Sequence, residues 1–354
     1  MKFKNGTNSD FYTGIKKEVH EYFESRDLDQ YGDRSIWIKG TCLLTGYIGS
    51  YFMIYYFQSH LFVALAFAIL MGLCGVMVVF NIVHDASHSA ISSNKSANKL
   101  LCYLGDLIGI NTYIWDIRHN IQHHTFTNVL GGDIIIENVP LVRLNPDQPL
   151  KKFHRFQHIY TPVFYAFYTL FWIFVIDIKL FLKKDICNLH NLKHSKKQWL
   201  ILIFFKTFYV FYILICPILF TSIPWYLVIT GFMIMHFFGG LLLSFTAVLG
   251  HFVPHTSFPT PNDNGDIEAN WSEHELEATI DFAPTSRIVH WITGGLNTHV
   301  AHHLFPKMCH CHYYKLTPII KEYCRVNGHS YRHESLVGAI TSHFRYLKQL
   351  SMAA

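Results

Sequence analysis

Residues 61–80 form a run of twenty without a single charge. As helix they measure about 30 Å, one hydrocarbon thickness of a bilayer, so the rest of the chain folds around a segment able to cross a membrane. Residues 40–57 precede it across the uncharged link 58–60, and the two predict a hairpin. Residues 199–220 and 224–250 predict a second hairpin around the uncharged turn 221–224. Lys206 stands about two turns inside the first of these segments and is expected to snorkel outward. Composition agrees, because 51% of the 354 residues are hydrophobic and only 15% are charged, whereas soluble domains carry about a quarter charged residues.

Two further apolar stretches are ambiguous: 100–115, interrupted by Asp106, and 160–182, which carries Asp177. Parity decides between spanning and lying in the interface. Segment 183–197 holds five lysines and belongs on the cytoplasmic side, with the polar N-terminal segment 1–35 and the long region 251–354. If histidine motifs on either side of these stretches share one site, an even number of spans separates them. Both stretches therefore read as interfacial or re-entrant. The expected fold is a single all-α integral membrane domain over 1–354, with four transmembrane helices in two hairpins and a cytoplasmic helical cap. The N-terminal forty residues show no apolar stretch of the signal-peptide kind. Eight scattered cysteines predict no disulfide framework and fit a reducing compartment. A net charge of +5 is spread over loops rather than gathered in a patch, which excludes nucleic acid as the partner and points to membrane orientation.

The chain has 24 histidines, as many as Asp and Glu together. Three groups stand out: HDASH at 84–88, HNIQHH at 119–124 and HVAHH at 299–303. On a helix, residues i, i+3 and i+4 share a face. His84 and His88 are thus expected to point one way, as are His119 and His123, and His299 with His302 and His303. Adjacent pairs such as His123 and His124, or His302 and His303, diverge by about 100°, so one helix can reach two metals. Eight imidazoles exceed the four protein ligands of a tetrahedral zinc and point to a two-metal site. Imidazole suits zinc, copper, iron and nickel alike, so spacing does not name the metal. His84 lies four residues past the uncharged run, which puts the site at the membrane surface and makes a lipid the expected substrate.

Segment 224–250 is longer than a bilayer needs, and His251 directly after it is a ninth candidate ligand; His255 is a weaker one. His236, deeper in the same segment, reads as a packed or hydrogen-bonded residue. The alternation in MCHCHYY at 308–314 does not match the usual zinc spacings and reads as the start of a helix. His154, His158, His190, His194, His329, His333 and His343 sit among charged or polar neighbours, where solvated roles are expected. Asp85, Asp106, Asp116 and Asp133 lie in or near the first two groups and could orient ligand imidazoles through the second ring nitrogen. Residues 104–115 are a candidate wall for an acyl tunnel.

In this order, with GGLN before the last group and LFP after it, the three groups resemble the membrane-bound fatty acid desaturase family. The resemblance runs from about Ile36 to the SHFRYLKQL end. It matches the acyl-lipid and linoleoyl-CoA-type branch that includes front-end desaturases, whose last group often reads QxxHH; here His299 replaces that Gln. The departure bears on where a double bond is placed, not on the metal site. The resemblance implies a non-haem centre of two iron ions held by the eight histidines and His251, with dioxygen as oxidant and a fatty acyl lipid or acyl-CoA as substrate. It also implies two electrons from a redox partner. No HPGG motif of a fused cytochrome b5 domain is present, so a separate cytochrome b5-like protein or ferredoxin is expected to supply them. A lipid hydroxylase, acetylenase or ketolase would share the scaffold. A zinc-dependent membrane hydrolase uses fewer histidines, and a metal transporter would line its spans with ionisable groups, of which Lys206 and His236 are the main ones here.

Overall fold

The computed structural model describes all residues except Asn5, Thr7, Asn8, Asn138, Pro140, Ala353 and Ala354. Helices dominate, and the strands are two-residue parallel pairs, Lys2–Phe3 with Asp266–Ile267 and Asp281–Phe282 with His333–Glu334. Helix Arg34–Tyr56 starts where the Asp33 carboxylate accepts the backbone N–H groups of Ser35 and Ile36. It turns at 57–60 into helix Leu61–Val78, which continues through a π-helical segment, Val79–Val83, into His84–Ser87. Ser195 caps Lys196–Val210, which continues to Phe220 before Pro224 opens helix Trp225–Leu249. Both expected hairpins are therefore present. Their turns meet, because Ser222 N donates to Gln58 Oε1 at 2.6 Å, while His84 and His251 lie at the opposite end of the bundle.

Two segments enter the bundle from the histidine end and return to it. Lys95–Leu107 runs inward to Gly109, whose carbonyl accepts from Lys206 Nζ at 2.6 Å, and the chain comes back through Thr112–Trp115 and Asp116–His123. The helical run Lys152–Leu182 begins against the cap, where Gln157 Nε2 donates to Leu347 O. It passes His236 at Thr169 and ends with Phe181 packed on Trp199, ring centroids 4.6 Å apart. Lys206 does not snorkel outward. Asp177 gives it a buried carboxylate at 2.7 Å, and the Ile173 and Gly109 carbonyls complete its shell, which outweighs the pull of the interface.

Among the described residues, the helices long and apolar enough to cross a membrane are Leu61–Ser87, Lys152–Leu182, Lys196–Phe220 and Trp225–Leu249. The expected number, four, is met with one change of member. Arg34–Tyr56 has 23 residues, roughly 35 Å of helix, but Arg34, Lys39 and its tyrosines, threonines and serines dilute its hydropathy. Lys152–Leu182 qualifies by length and composition although both of its ends contact the histidine side.

The rest forms a cap. Phe11, Ile15, Val19 and Phe23 line one face of helix Asp10–Glu24 at a four-residue spacing and pack on Leu304, Leu316 and Ile320, so the N-terminal segment is part of the cap rather than a tail. Helix Leu336–Met352 closes the other side, packing Leu347 and Leu350 with Leu249 and Phe252. His343 is fully buried there, donating Nδ1–H to Phe252 O at 2.7 Å and meeting Tyr165 Oη at 2.9 Å. His154 is buried as well. For these two the polar neighbours in sequence misled, because the helices carrying them turn those positions inward. His190 and His333 are exposed as expected.

Helix Gln157–Phe171 lies so close to Trp225–Leu249 that a Cβ at Gly240 would collide with the backbone carbonyl of Ala166. Gly240→Ala is expected to cost about 1–3 kcal/mol by overpacking and to lower the thermal midpoint in detergent. Gly49→Ala, where an added Cβ meets nothing within 4 Å, should not lower that midpoint and, by helix propensity, should raise it slightly.

Candidate metal centre

Four elements deliver the nine imidazoles to one place. His84 and His88 follow the π-helical segment Val79–Val83, His119, His123 and His124 come from the π-helical segment Asp116–His123 and its cap, and His251 follows Trp225–Leu249. His299, His302 and His303 lie on the short helix His299–Leu304. That helix is aimed by two devices. Asp281 Oδ1 accepts the Val300 N–H at 2.8 Å, an acidic cap on its first turn. Gly294 and Gly295 in GGLN take φ of +60° and +76°, and a Cβ on Gly294 would come within 2.5 Å of the Phe80 carbonyl oxygen. None of the nine histidines is more than 8% exposed.

Their grouping departs from simple helical spacing. His84, His88, His119 and His302 place ligand atoms within 4.8 Å of one another, and so do His123, His251 and His303, and His124, His302 and His303. Adjacent His302 and His303 diverge toward the first and second groups, as expected, and meet only around His124 in the third. His119 and His123 were expected to share one and do not. The segment that carries them is π-helical, with His124 N bonded to His119 O at 3.0 Å, so the residue beneath His119 is the fifth on rather than the fourth. His119 accordingly faces His124, Nε2 to Nε2 at 3.2 Å, and His84 at 3.0 Å. His299 joins the second group through His251. His255 is exposed and apart from all of them.

The outer ring nitrogens are held in turn. Asp133 accepts His123 Nδ1–H at 2.8 Å, and Glu275 accepts His303 Nδ1–H at 2.7 Å. Asp85 lies 3.4 Å from His84 Nδ1 and is itself fixed by His310 N and Nδ1. Carbonyls of Ala278 and Leu296 accept from His251 and His299 at 3.2 and 2.9 Å. Asp106 and Asp116 do neither. Asp106 takes the Thr112 hydroxyl and N–H at the inner turn of the returning segment, and Asp116 accepts from Asn120 Nδ2 four residues on, on the helix flank away from the imidazoles. Glu275, Thr127, whose hydroxyl donates to the Glu275 carboxylate, and His310 were missed by sequence reasoning. Cys309 and His310 lie with Asp85 in a fourth cluster within the same 4.8 Å, but Asp85 Oδ2 is already taken by two donors of His310.

One contact shows what this arrangement can hold. Burial holds His299 down to about 3 and His251 well below its ordinary value, so both rings are neutral and each carries one hydrogen. Backbone carbonyls only accept, so that hydrogen is on Nδ1 in both. The two Nε2 lone pairs then face one another at 2.6 Å, a repulsive contact unless a cation lies between them. Metal–imidazole bonds of about 2.0–2.1 Å put two ligands at a right angle about 3 Å apart, close to the 3.0 to 3.2 Å of the other Nε2 pairs. Nε2 of His88, His302 and His303 is buried without a hydrogen-bond partner among the described residues. The donor set fits metal ions, and it has room for two.

Five of the nine rings, on His84, His119, His123, His251 and His299, also line an apolar cavity of about 1070 Å³, its mouth included. Phe80, Phe164, Tyr168, Trp172 and Leu243 form much of its wall. Of the stretch 104–115, Trp115 alone reaches the wall, since the rest packs on neighbouring helices.

A histidine-rich metal centre at one end of an apolar helical bundle, opening on a greasy cavity, defines a membrane-type metalloenzyme that handles hydrocarbon. The fatty acid desaturase family model matches residues 59–335, and the chain belongs to that family. It is 32% identical to an sn-1 linoleoyl-lipid 6-desaturase of Arthrospira platensis, over 98% of this chain and 94% of the relative. A Synechocystis protein of the same name is also 32% identical, over 96% and 95%. An acyl-lipid (8-3)-desaturase of Physcomitrium patens is 28% identical, over 99% and 74%. The family expectation drawn from the three histidine groups is thus confirmed, and with it the class of enzyme.

Glu275→Ala removes the acceptor that holds His303. It should weaken metal retention about 10- to 100-fold in chelator competition, read by elemental analysis. Asp116→Ala, which touches no imidazole, should retain metal as the parent protein does.

Proposed function

We propose that this desaturase acts on a fatty acyl lipid or acyl-CoA, with two iron ions held by His84, His88, His119, His123, His124, His251, His299, His302 and His303. The confrontation of His251 and His299 lone pairs carries the metal assignment, and the cavity beside them carries the substrate class. His84, His88, His119 and His302 hold one ion, His123, His251, His299 and His303 the other, and His124 stands between them. Bound there, the iron pair supplies the dioxygen chemistry that removes two vicinal hydrogens from an acyl chain, with two electrons from a separate cytochrome b5-like protein or ferredoxin. The chain's own part is geometric. Asp133, Glu275 and Asp85 fix ring tautomer and orientation, the aromatic wall excludes water, and the cavity lays methylenes against the imidazole cluster. The acyl-lipid substrates in the relatives' names support a lipid head group. The enzyme is read as multi-pass, with its active site and the 183–197 segment on the cytoplasmic side and the turns 57–60 and 221–224 on the other.

The test is expression in a host fed labelled fatty acids, with gas chromatography and mass spectrometry of total lipid. A new alkene is expected. A hydroxylated or acetylenic product would instead assign the chain to the oxygen-inserting or further-desaturating variant of the scaffold. Gently purified protein from iron-replete medium should carry close to two metal ions per chain, and a value near one would sink the two-metal reading. His303→Ala should lose most of the metal. His299→Gln should keep part of it with reduced turnover, because an amide oxygen is a weaker iron ligand than imidazole.

Topology has its own readout. A cysteine placed in the 183–197 segment should resist impermeant labelling in intact cells, while one at Ser59 should react. The reverse pattern would overturn the assigned orientation.

A further inference from the structure

One charged side chain in the cavity wall keeps hydrogen-bond donors without a partner among the described residues. Arg118 is 2% exposed and lines the cavity with Tyr168 and Trp172. Its Nη2 donates to Tyr168 Oη at 3.2 Å, and its guanidinium carbon lies 5.2 Å from the centroid of the Trp172 ring. Nε and Nη1 are buried without a hydrogen-bond partner among the described residues. Asp177 does not pair with it there, having given its oxygens to Lys206 Nζ, Asn111 N and Trp172 Nε1. A guanidinium cannot shed its charge by deprotonation, and unmet donors in an apolar wall are destabilising. Among the described residues nothing accepts from Nε or Nη1, which leaves the site with capacity for a further acceptor.

We propose that Arg118 binds the oxygen at the head of the acyl chain, C1 of the substrate, and thereby sets which methylenes lie against the metal centre. This rests on the acyl desaturase reading. Ser244 Oγ donates to Tyr165 O and Tyr165 Oη meets His343; apart from the imidazoles and Trp115 Nε1, which is buried without a hydrogen-bond partner among the described residues, the remaining lining is aromatic and aliphatic. An acyl substrate carries one strong acceptor next to its hydrocarbon, the carbonyl oxygen, and a free N–H of the guanidinium offers it a charge-assisted hydrogen bond. Arg118 directly precedes His119 on the same π-helical segment. An acyl head held there is kept at a fixed short distance from the imidazoles, and only the first few methylenes come within reach. The acceptor is an ester or thioester carbonyl, or the carboxylate of a free fatty acid.

The test uses the purified, metal-loaded enzyme in nanodiscs, without reductant, so that binding is measured without turnover. Three matched probes differ only at the head: an ester-linked lipid, its ether-linked analogue with CH₂ in place of the carbonyl, and the free fatty acid. The parent enzyme should bind the ester roughly ten- to a hundredfold more tightly than the ether, the range expected for a hydrogen bond to a charged group. Arg118→Met should bind the two alike, and under turnover should spread the double bond over several positions. Tighter binding of the free acid than of the ester, lost in the same variant, would assign the carboxylate as the source. Metal content and thermal midpoint report whether Arg118→Met has folded. If it has not, Arg118→Lys decides, with an ester-to-ether ratio between those of the parent enzyme and unity. An unchanged ratio in the folded variant, or none in the parent enzyme, overturns the proposal. Desaturation that persists with an unchanged ratio removes only the role of Arg118, whereas absence of any desaturated product from the parent enzyme removes the function on which it rests.

Discussion

Everything in this molecule is arranged around a repulsion. The Nε2 lone pairs of His251 and His299 are driven against each other because backbone carbonyls hold both Nδ1 hydrogens on the far side of the rings. The imidazoles whose Nδ1 is held by an acceptor, those of His123, His251, His299 and His303, present inward Nε2 lone pairs that do not make a packed core by themselves. They become favourable only around cations, so the ring of outward acceptors from Asp133, Glu275 and two main-chain carbonyls serves to aim lone pairs inward as much as to anchor side chains. The bundle supplies the other half. Leu61–Ser87 and Trp225–Leu249 run side by side in the same direction, with Gly72 against Met235 and Val76 against Gly239, so one end of the pair delivers both His84 and His251.

Much of this was legible in the sequence for identifiable reasons. An uncharged twenty-residue run has one common interpretation, and three histidine groups near the ends of apolar runs have few. The two hairpins, the divergence of His302 from His303 and the burial of His236 all follow from local spacing. What failed was local geometry that spacing does not encode. The π-helical turn at Asp116–His123 shifts the partner of His119 by one residue, and nothing in HNIQHH announces it. Helix Trp271–Ala278 carries Glu273, Glu275 and Glu277, and only the tertiary contact with His303 singles out the middle one. Asp106 and Asp116 lie as near the motifs in sequence as Asp133 does, yet bond to Thr112 and Asn120. Lys206 looked like a residue escaping the bilayer until Asp177, from a segment read as interfacial, met it.

Arg118 belongs with these cases. In the sequence it is an unremarked cation beside a histidine. In the folded chain it lies among aromatic rings with two donors unspent. A long-range arrangement, the cavity formed by the returning segments and the last long helix, converts a composition-neutral residue into the most conspicuous polar group on an apolar wall.

The wide separation of the histidine groups along the chain has a consequence for synthesis. His84 and His88 leave the ribosome first, and their partner His302 lies in the final sixth of the chain. The first hairpin therefore inserts while its imidazoles still lack the rings that face them, and the contact between Gln58 and Ser222 can form only after the second hairpin has entered. The imidazole cluster is thus completed only at the end of synthesis. A nascent chain stalled anywhere before residue 299 carries an open, incomplete cluster, which gives quality control a chemical mark by which to tell finished enzyme from unfinished.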